Sequence, residues 1–213
     1  MTEIQKIIDV ARSTGCSEDM WLCGYALMYG EFTSSDGVYH KCRKNISKAL
    51  EWIEKAAKAG CTGAMIELGC YYSSLKPCTR DNLLRSLYWE ELAWKNGEAP
   101  VAQNIAITYM KLKQPQECHA WLKRGYKKCR WPVALSLAKT YICGYGTKRD
   151  IDKARIILER IVDPSENSYP SDVRKARRYL KEIEQGRLRG LSPSRAFAIL
   201  SLPFREISAV IKG

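Results

Sequence analysis

Between Lys48 and Tyr72 the chain reads KALEWIEKAAKAGCTGAMIELGCYY. Ala49, Trp52, Ala56 and Ala57 recur at three, four and seven-to-eight residues, which marks one apolar face of an α-helix. Gly60 then supplies a residue that tolerates the left-handed conformation that ends a helix. Ala64, Leu68, Gly69 and Tyr72 repeat the spacing on a second helix. Small residues on a packed face let two helix backbones approach closely, so the stretch predicts a helix pair.

The same kind of pattern runs along the chain. Thr2 with Gln5 has the spacing of a capping box, and Ile4, Ile7, Ile8 and Ala11 form a stripe that Gly15 stops. Ser17 is placed to cap the next helix, Met20 to Gly30, which contains Trp21, Gly24, Leu27 and Met28. The segment Glu31 to Asn45 reads as a polar, Gly-containing loop, the longest connection in the pattern and therefore a candidate functional segment. Further on, Asp163-Pro164 and the residues to Pro170 read as a linker. Ser171 then caps a basic helix to about Gln185, with Val173, Ala176, Tyr179, Leu180 and Ile183 as its apolar face. Ser192-Pro193 resembles a further helix start.

Two series of residues are in phase. Gly24, Gly69, Ala106 and Ala138 each precede Leu27, Tyr72, Tyr109 and Tyr141 by three residues. Trp52, Trp89, Trp121 and Ile157 fall at equivalent places in the second helices, spaced by 37, 32 and 36 residues. Self-similarity at such a period is the mark of a helical solenoid.

The segments GYGTKRDIDKA (Gly144 to Ala154) and KALEWIEKAAKAG (Lys48 to Gly60) resemble the Sel-like repeat family, relatives of the tetratricopeptide repeat. The match covers about residues 19 to 162 as four repeats. The first has a longer loop in which only Asp36-Gly37-Val38 echoes the family turn. Lys76-Pro77-Cys78 replaces the GxG of the second, and Lys113-Gln114-Pro115 joins the helices of a truncated third. The fourth keeps Gly144, Gly146, Asp150 and Lys153-Ala154. The resemblance implies an all-α, right-handed α-solenoid of about four helix-turn-helix repeats. Residues 1–162 would form the solenoid with its N-terminal capping helix. Residues 163–213 would form a basic C-terminal helical cap packed on it, because a repeat stack exposes an apolar face at each end.

Composition narrows the chemistry. The net charge of +12 is uneven: residues 1–110 carry 12 Lys/Arg against 13 Asp/Glu, residues 111–213 carry 23 against 10. Such asymmetry speaks to partner attraction. No run of about 18 apolar residues predicts a membrane span, and the N-terminus has neither the basic start nor the continuous apolar centre of a secretory signal, so a cytoplasmic protein is expected. The nine cysteines are odd in number and lack a CxxC pair. They read as buried, reduced thiols. His40 and Cys42 with Cys78, or Cys118 with His119, could in principle donate metal ligands, but Cys118 and His119 are adjacent and point to different helix faces, which makes a poor chelate. No metal or other cofactor is expected.

Nothing in the sequence resembles a catalytic set: there is no P-loop, nucleophile elbow or HExxH. Gly144-Tyr145-Gly146 follows a helix, with no strand before it, and reads as an inter-helix turn. Asp150 reads as the cap of the next helix and not as a calcium ligand. Asn45-Ile46-Ser47 matches a glycosylation sequon, which matters only in a secreted chain. The expected function is non-catalytic.

Candidate binding residues follow from the repeat register. In a solenoid the first helix of each pair lines the concave surface. The face opposite its core positions carries Tyr25, Glu67, Cys70, Gln103, Asn104, Ile107 and Lys139, to which the loop adds Asp36, Tyr39 and His40. Their mixed chemistry fits a protein partner. Two basic patches stand apart: Lys123, Arg124, Lys127, Lys128 and Arg130, and then Arg174, Lys175, Arg177, Arg178 and Lys181, joined by Arg187, Arg189 and Arg195. A solvated face or an attraction for an acidic partner explains both. Tyr126, Trp131 and Tyr179 lie close enough in sequence to keep nucleic acid, or an anionic membrane, as a reading of a different class. The family resemblance implies scaffolds, adaptors and, among bacterial members, cytoplasmic immunity proteins that neutralise secreted toxins. The narrow preference is for an immunity protein whose concave surface and 31–45 loop occlude a toxin, an acidic one drawn in by the basic half.

Overall fold

Helix ends fall where local chemistry places them. The computed structural model describes residues 2–33, 37–166, 168–186 and 188. Within them are helices α1 Glu3–Thr14, α2 Ser17–Tyr29, α3 Ile46–Lys58, α4 Thr62–Ser74, α5 Arg80–Lys95, α6 Ala102–Lys111, α7 Pro115–Lys128, α8 Arg130–Cys143, α9 Ile151–Val162 and α10 Pro170–Glu184. The second helix of a pair starts on a side-chain cap in three cases. Asn45 Oδ1 accepts from the Lys48 N–H at 3.1 Å, Thr79 Oγ1 from Asn82 at 3.2 Å, and Asp150 Oδ1 from Lys153 at 2.9 Å. Each such bond satisfies one amide that the helix start leaves unpaired. Asn45 therefore serves as a cap, and Asp150 caps α9 as its sequence position predicts.

Three expected caps differ. Thr2 precedes α1, but its hydroxyl makes no capping bond, and Gln5 bonds Asp9 at 2.9 Å instead of closing the box. Cys16, not Ser17, is the N-cap of α2. Tyr169, not Ser171, precedes α10, with Pro170 in its first turn. In that last case the fixed φ of proline suits a first helical position and sets the start two residues earlier. The stops behave as expected: Gly15 and Gly60 both take positive φ, and the Cys61 N–H reaches back to the Ala56 carbonyl at 3.0 Å.

The chain divides into two compact units, Met1–Val101 and Ala102–Gly213. In the first, α1 packs on α2, α2 pairs with α3, α3 meets α4, and α4 pairs with α5. In the second, α6 pairs with α7, α7 meets α8, α8 pairs with α9, and α10 packs on α9. These are the four helix pairs of the repeat register. Gly24, Gly69, Ala106 and Ala138 are all buried. On α3 the buried face is Ala49, Ile53, Ala56 and Ala57, whereas Trp52 is half-exposed beside Lys55. The face is thus rotated by one residue from the expected one, which lets the small residues and a branched aliphatic fill the narrow gap to α2.

Gly24 and Gly69 make the close approach, and they make it within a pair. A Cβ on Gly24 would collide with Ile53 Cγ1 and lie 3.0 Å from the Ala49 carbonyl oxygen, and one on Gly69 would lie 2.6 Å from Glu90 Cγ. These glycines therefore form the seam between the two helices of one repeat and not a seam between consecutive repeats. Between neighbouring first helices the contact is different: Gly63 of α4 packs against the Trp21 ring of α2.

The segment expected to be a polar loop contains a hairpin, β1 Glu31–Thr33 paired antiparallel with β2 Tyr39–Lys41. Phe32 is buried and stacks on its cross-strand partner His40, with centroids 5.1 Å apart. One buried aromatic per short strand is enough to fix the register. Asp36, Arg187, Arg189, Arg195 and the Ser192-Pro193 helix start lie outside the described residues, as does the rest of the expected terminal cover.

Candidate functional site

In the first unit, the exposed face of α2 carries two aromatic rings one turn apart. Tyr25 and Tyr29 have centroids 4.5 Å apart, and Trp21 meets Tyr25 edge-on at 6.2 Å. Tyr25 is 37% and Tyr29 41% exposed. The Tyr29 hydroxyl donates a hydrogen bond to Glu67 Oε1 on α4, so the two first helices are tied across their exposed side. Burial and the neighbouring Glu67 carboxylate push the Tyr29 phenol well above its ordinary range, so it remains a donor. Cys70, exposed one turn along α4, completes the cluster. Tyr29 is a residue that sequence reasoning passed over, although its spacing of four from Tyr25 places it on the same face.

The hairpin sits next to this cluster in sequence. It is tied to the end of α2 by the Cys42 N–H to the Gly30 carbonyl at 2.9 Å and by the Asn45 N–H to the Leu27 carbonyl at 2.8 Å. Tyr39 is exposed and its hydroxyl donates to Glu31 at 2.6 Å. His40 faces Phe32 instead of standing free.

In the second unit, Gln103, Ile107 and Lys139 come together in the wall of a cavity of about 360 Å³, which is mostly apolar and includes Met110, Cys118 and Tyr145. The Gln103 amide donates to Ser136 Oγ at 3.1 Å. Burial, with Lys175 adding to it, holds the Lys139 ammonium below its usual range. Asn104 lies beside this group, and its carbonyl accepts from Thr108 at 3.1 Å. Behind the cavity, the buried His119 ring shares a 2.9 Å hydrogen bond with Thr140 and meets Tyr141 edge-on. Gly146 lies so close to the Pro115 carbonyl that no side chain would fit, which gives the Gly144–Gly146 turn a packing role.

The two basic patches lie on helices with different neighbours. On α7, Lys123, Lys127 and Lys128 are exposed, while Arg124 lies over the Trp121 ring at 4.8 Å. Arg130 pairs with Glu166. On α10, Arg174, Arg177 and Lys181 form one exposed stripe. Arg178 is half-buried, and Lys175 leans on Asp172 at 3.5 Å. Tyr179 is buried, so it is a core residue of α10 and not a stacking platform.

Cysteine burial is more mixed than the sequence led us to expect. All nine are free; Cys23, Cys61, Cys118 and Cys143 are buried, Cys42 and Cys129 half-buried, and Cys16, Cys70 and Cys78 exposed. The exposed ones sit before a helix, on a helix face and in a loop. Among the described residues no group of three or more metal-ligating side chains stands together, and no helix is long and apolar enough to cross a membrane.

No family model and no curated protein matches the chain. Solved structures do. A protective antigen present in uropathogenic Escherichia coli strains, displaying an SLR fold, superposes with a TM-score of 0.60 at 22% identity over 75% of this chain. A Sel1 repeat protein from Oxalobacter formigenes superposes with a TM-score of 0.60 at 20% identity over 73%. The chain spans 32% of the first protein's length and 61% of the second's. With the four helix pairs, these likenesses establish the architecture: this chain has the all-α solenoid fold of the Sel1-repeat proteins.

Proposed function

We propose that the chain is a non-catalytic protein-binding module and that its first unit binds through the exposed faces of α2 and α4. The observation that carries this is the Tyr25–Tyr29 ring pair bonded to Glu67. Rigid aromatic side chains with a polar tip supply large contact area at little entropic cost, and they are enriched where protein interfaces concentrate their energy. The fold does not require rings here. The residue following each packed Gly or Ala is Tyr25, Cys70, Ile107 or Lys139, four unlike side chains at one register position. Within this class the finer reading is neutralisation of a cognate toxin by this face and the adjacent hairpin, a reading supported by the family resemblance alone.

A photo-crosslinking side chain at position 70 tests the module reading. It should capture one polypeptide in stoichiometric amount, and Tyr25→Ala with Tyr29→Ala should abolish capture. Recovery of nucleic acid with no stoichiometric polypeptide would overturn the reading. The exposed Arg174–Arg177–Lys181 stripe favours a second reading, binding of a polyanion. Such binding should weaken about 10³-fold or more between 50 and 200 mM salt if several phosphates are contacted.

A further inference from the structure

We propose that Tyr25, Tyr29 and Glu67 form a receptor for a single cationic side chain, an arginine or lysine, presented by the partner; this rests on the protein-binding reading above. The two rings lie one helical turn apart, 4.5 Å between centroids and inclined by 43°, with part of each ring open to solvent. The face of a phenol ring carries negative potential and attracts a cation within about 6 Å of its centroid. The Glu67 carboxylate is held at the edge of this pair by the Tyr29 hydroxyl. Only one of its oxygens is engaged there, which leaves the other for an incoming donor. A guanidinium placed on the rings would therefore lie beside a carboxylate with an oxygen to spare, and a charge-assisted hydrogen bond can form between them.

Among the described residues no lysine or arginine forms an ion pair with Glu67, although the chain carries 35 of them. The cationic partner is thus not supplied by a neighbouring repeat. Elsewhere the protein does place its own cations on rings: Lys55 on Trp52, Arg85 on Tyr72, Arg124 on Trp121. Here the first repeat displays two rings beside a carboxylate of the second, with that place left open.

The full chain with labelled tyrosines can be titrated with N-acetyl-arginine amide and, separately, with its neutral isostere N-acetyl-citrulline amide, following ring resonances by NMR. We expect saturable shifts of the Tyr25 and Tyr29 rings with the arginine probe, and binding about three- to fivefold weaker for citrulline, the range of an exposed cation–ring contact. Glu67→Gln should weaken the arginine probe by a similar factor while leaving the fold and the citrulline response unchanged. Equal binding of the two probes, or an arginine affinity indifferent to Glu67→Gln, would overturn the inference. The position-70 crosslink separates the two claims. A polypeptide captured equally well by the Glu67→Gln protein leaves the binding module standing and removes the cation receptor. Arginine-selective shifts with no polypeptide captured do the reverse.

Discussion

Gly69 of α4 lies against the stem of Glu90 on α5, so that a β-carbon at residue 69 would stand 2.6 Å from Glu90 Cγ. Glu90 is 1% exposed and occupies a position filled by Ile53, Leu122 and Leu158 in the other three repeats. One turn earlier Ser86, also buried, donates to the Gly69 carbonyl at 2.8 Å where the other repeats have Ala49, Cys118 and Ala154. The second repeat thus packs a polar pair against a glycine where its siblings pack Ala, Cys, Ile or Leu.

A double-mutant cycle should detect that relationship. Gly69→Ala gains about 1 kcal/mol of helix propensity but crowds Glu90, and overpacking typically costs about 1–3 kcal/mol. Glu90→Ala should be the more damaging, because it opens a cavity in the seam, on the order of 2–4 kcal/mol. The double variant should be more stable than the sum predicts, by about 0.5 kcal/mol or more, since the new methyl enters the vacated space. Urea denaturation of the four proteins measures this, and strict additivity would refute the contact. Gly24→Ala makes a useful contrast, since it meets the Ala49 backbone at 3.0 Å as well as Ile53 and has less room to relax. It should cost more than Gly69→Ala.

Gly144 and Gly146 both take left-handed φ, 67° and 71°, but they differ in what surrounds them. A β-carbon on Gly144 finds its nearest neighbours at 3.4 Å, an ordinary contact, whereas on Gly146 it would fall inside the Pro115 carbonyl group. Gly144→Ala should therefore cost only the left-handed backbone penalty, about 1–2 kcal/mol. Gly146→Ala adds a backbone collision and should lose roughly 3 kcal/mol or more. Thermal melts of the two variants compare them directly; equal losses would mean that the turn and the start of α7 do not touch.

The helix pairs were legible because their signal is repeated. Gly24, Gly69, Ala106 and Ala138 recur in phase with Trp52, Trp89, Trp121 and Ile157, and periodicity summed over four copies outweighs any single position. What failed to show had no second copy. The hairpin has three-residue strands, too short for alternation to register, and its pairing depends on one buried ring, Phe32, meeting His40. Cys16 and Cys61 precede α2 and α4 without any side-chain capping bond, so preference-based capping pointed one residue too far at Ser17. Of the candidate site, the exposed positions along the first helices could be reached from the register. The Tyr29–Glu67 bond spans 38 residues, a separation that no local pattern encodes.

Thiol labelling should sort the cysteines into classes. Cys16, Cys70 and Cys78 should react with iodoacetamide in the native protein. Burial pushes Cys23 and Cys118 up to about 11 and Cys143 to about 12, so their thiols stay protonated at neutral pH as well as shielded. Those three, with the buried Cys61, should label only on unfolding, as read by peptide mass spectrometry. Native labelling of Cys23 or Cys118 at the rate of Cys78 would contradict the packing of α2 or α7. A bound partner should additionally shield Cys70 while leaving Cys78 unchanged.

His119 gives the fold a pH dependence of definite sign. Burial, reinforced by Lys123, holds its imidazole below the ordinary range, and the neutral ring shares a hydrogen bond with Thr140 at 2.9 Å. In the unfolded chain the same group titrates near about 6.5. The unfolded state therefore binds the extra proton first as the solution is acidified. Stability is fully present above the unfolded pKa and falls as pH drops below it, levelling once the folded pKa is passed. The slope contributed by this one proton cannot exceed about 1.4 kcal/mol per pH unit. Urea midpoints measured from pH 7.5 to 5.5, above the main carboxylate range, should decline for the parent protein. His119→Gln retains a group able to bond Thr140 but does not titrate, so its midpoints should stay flatter over the same interval. Parallel declines for the two proteins would assign the loss to another group.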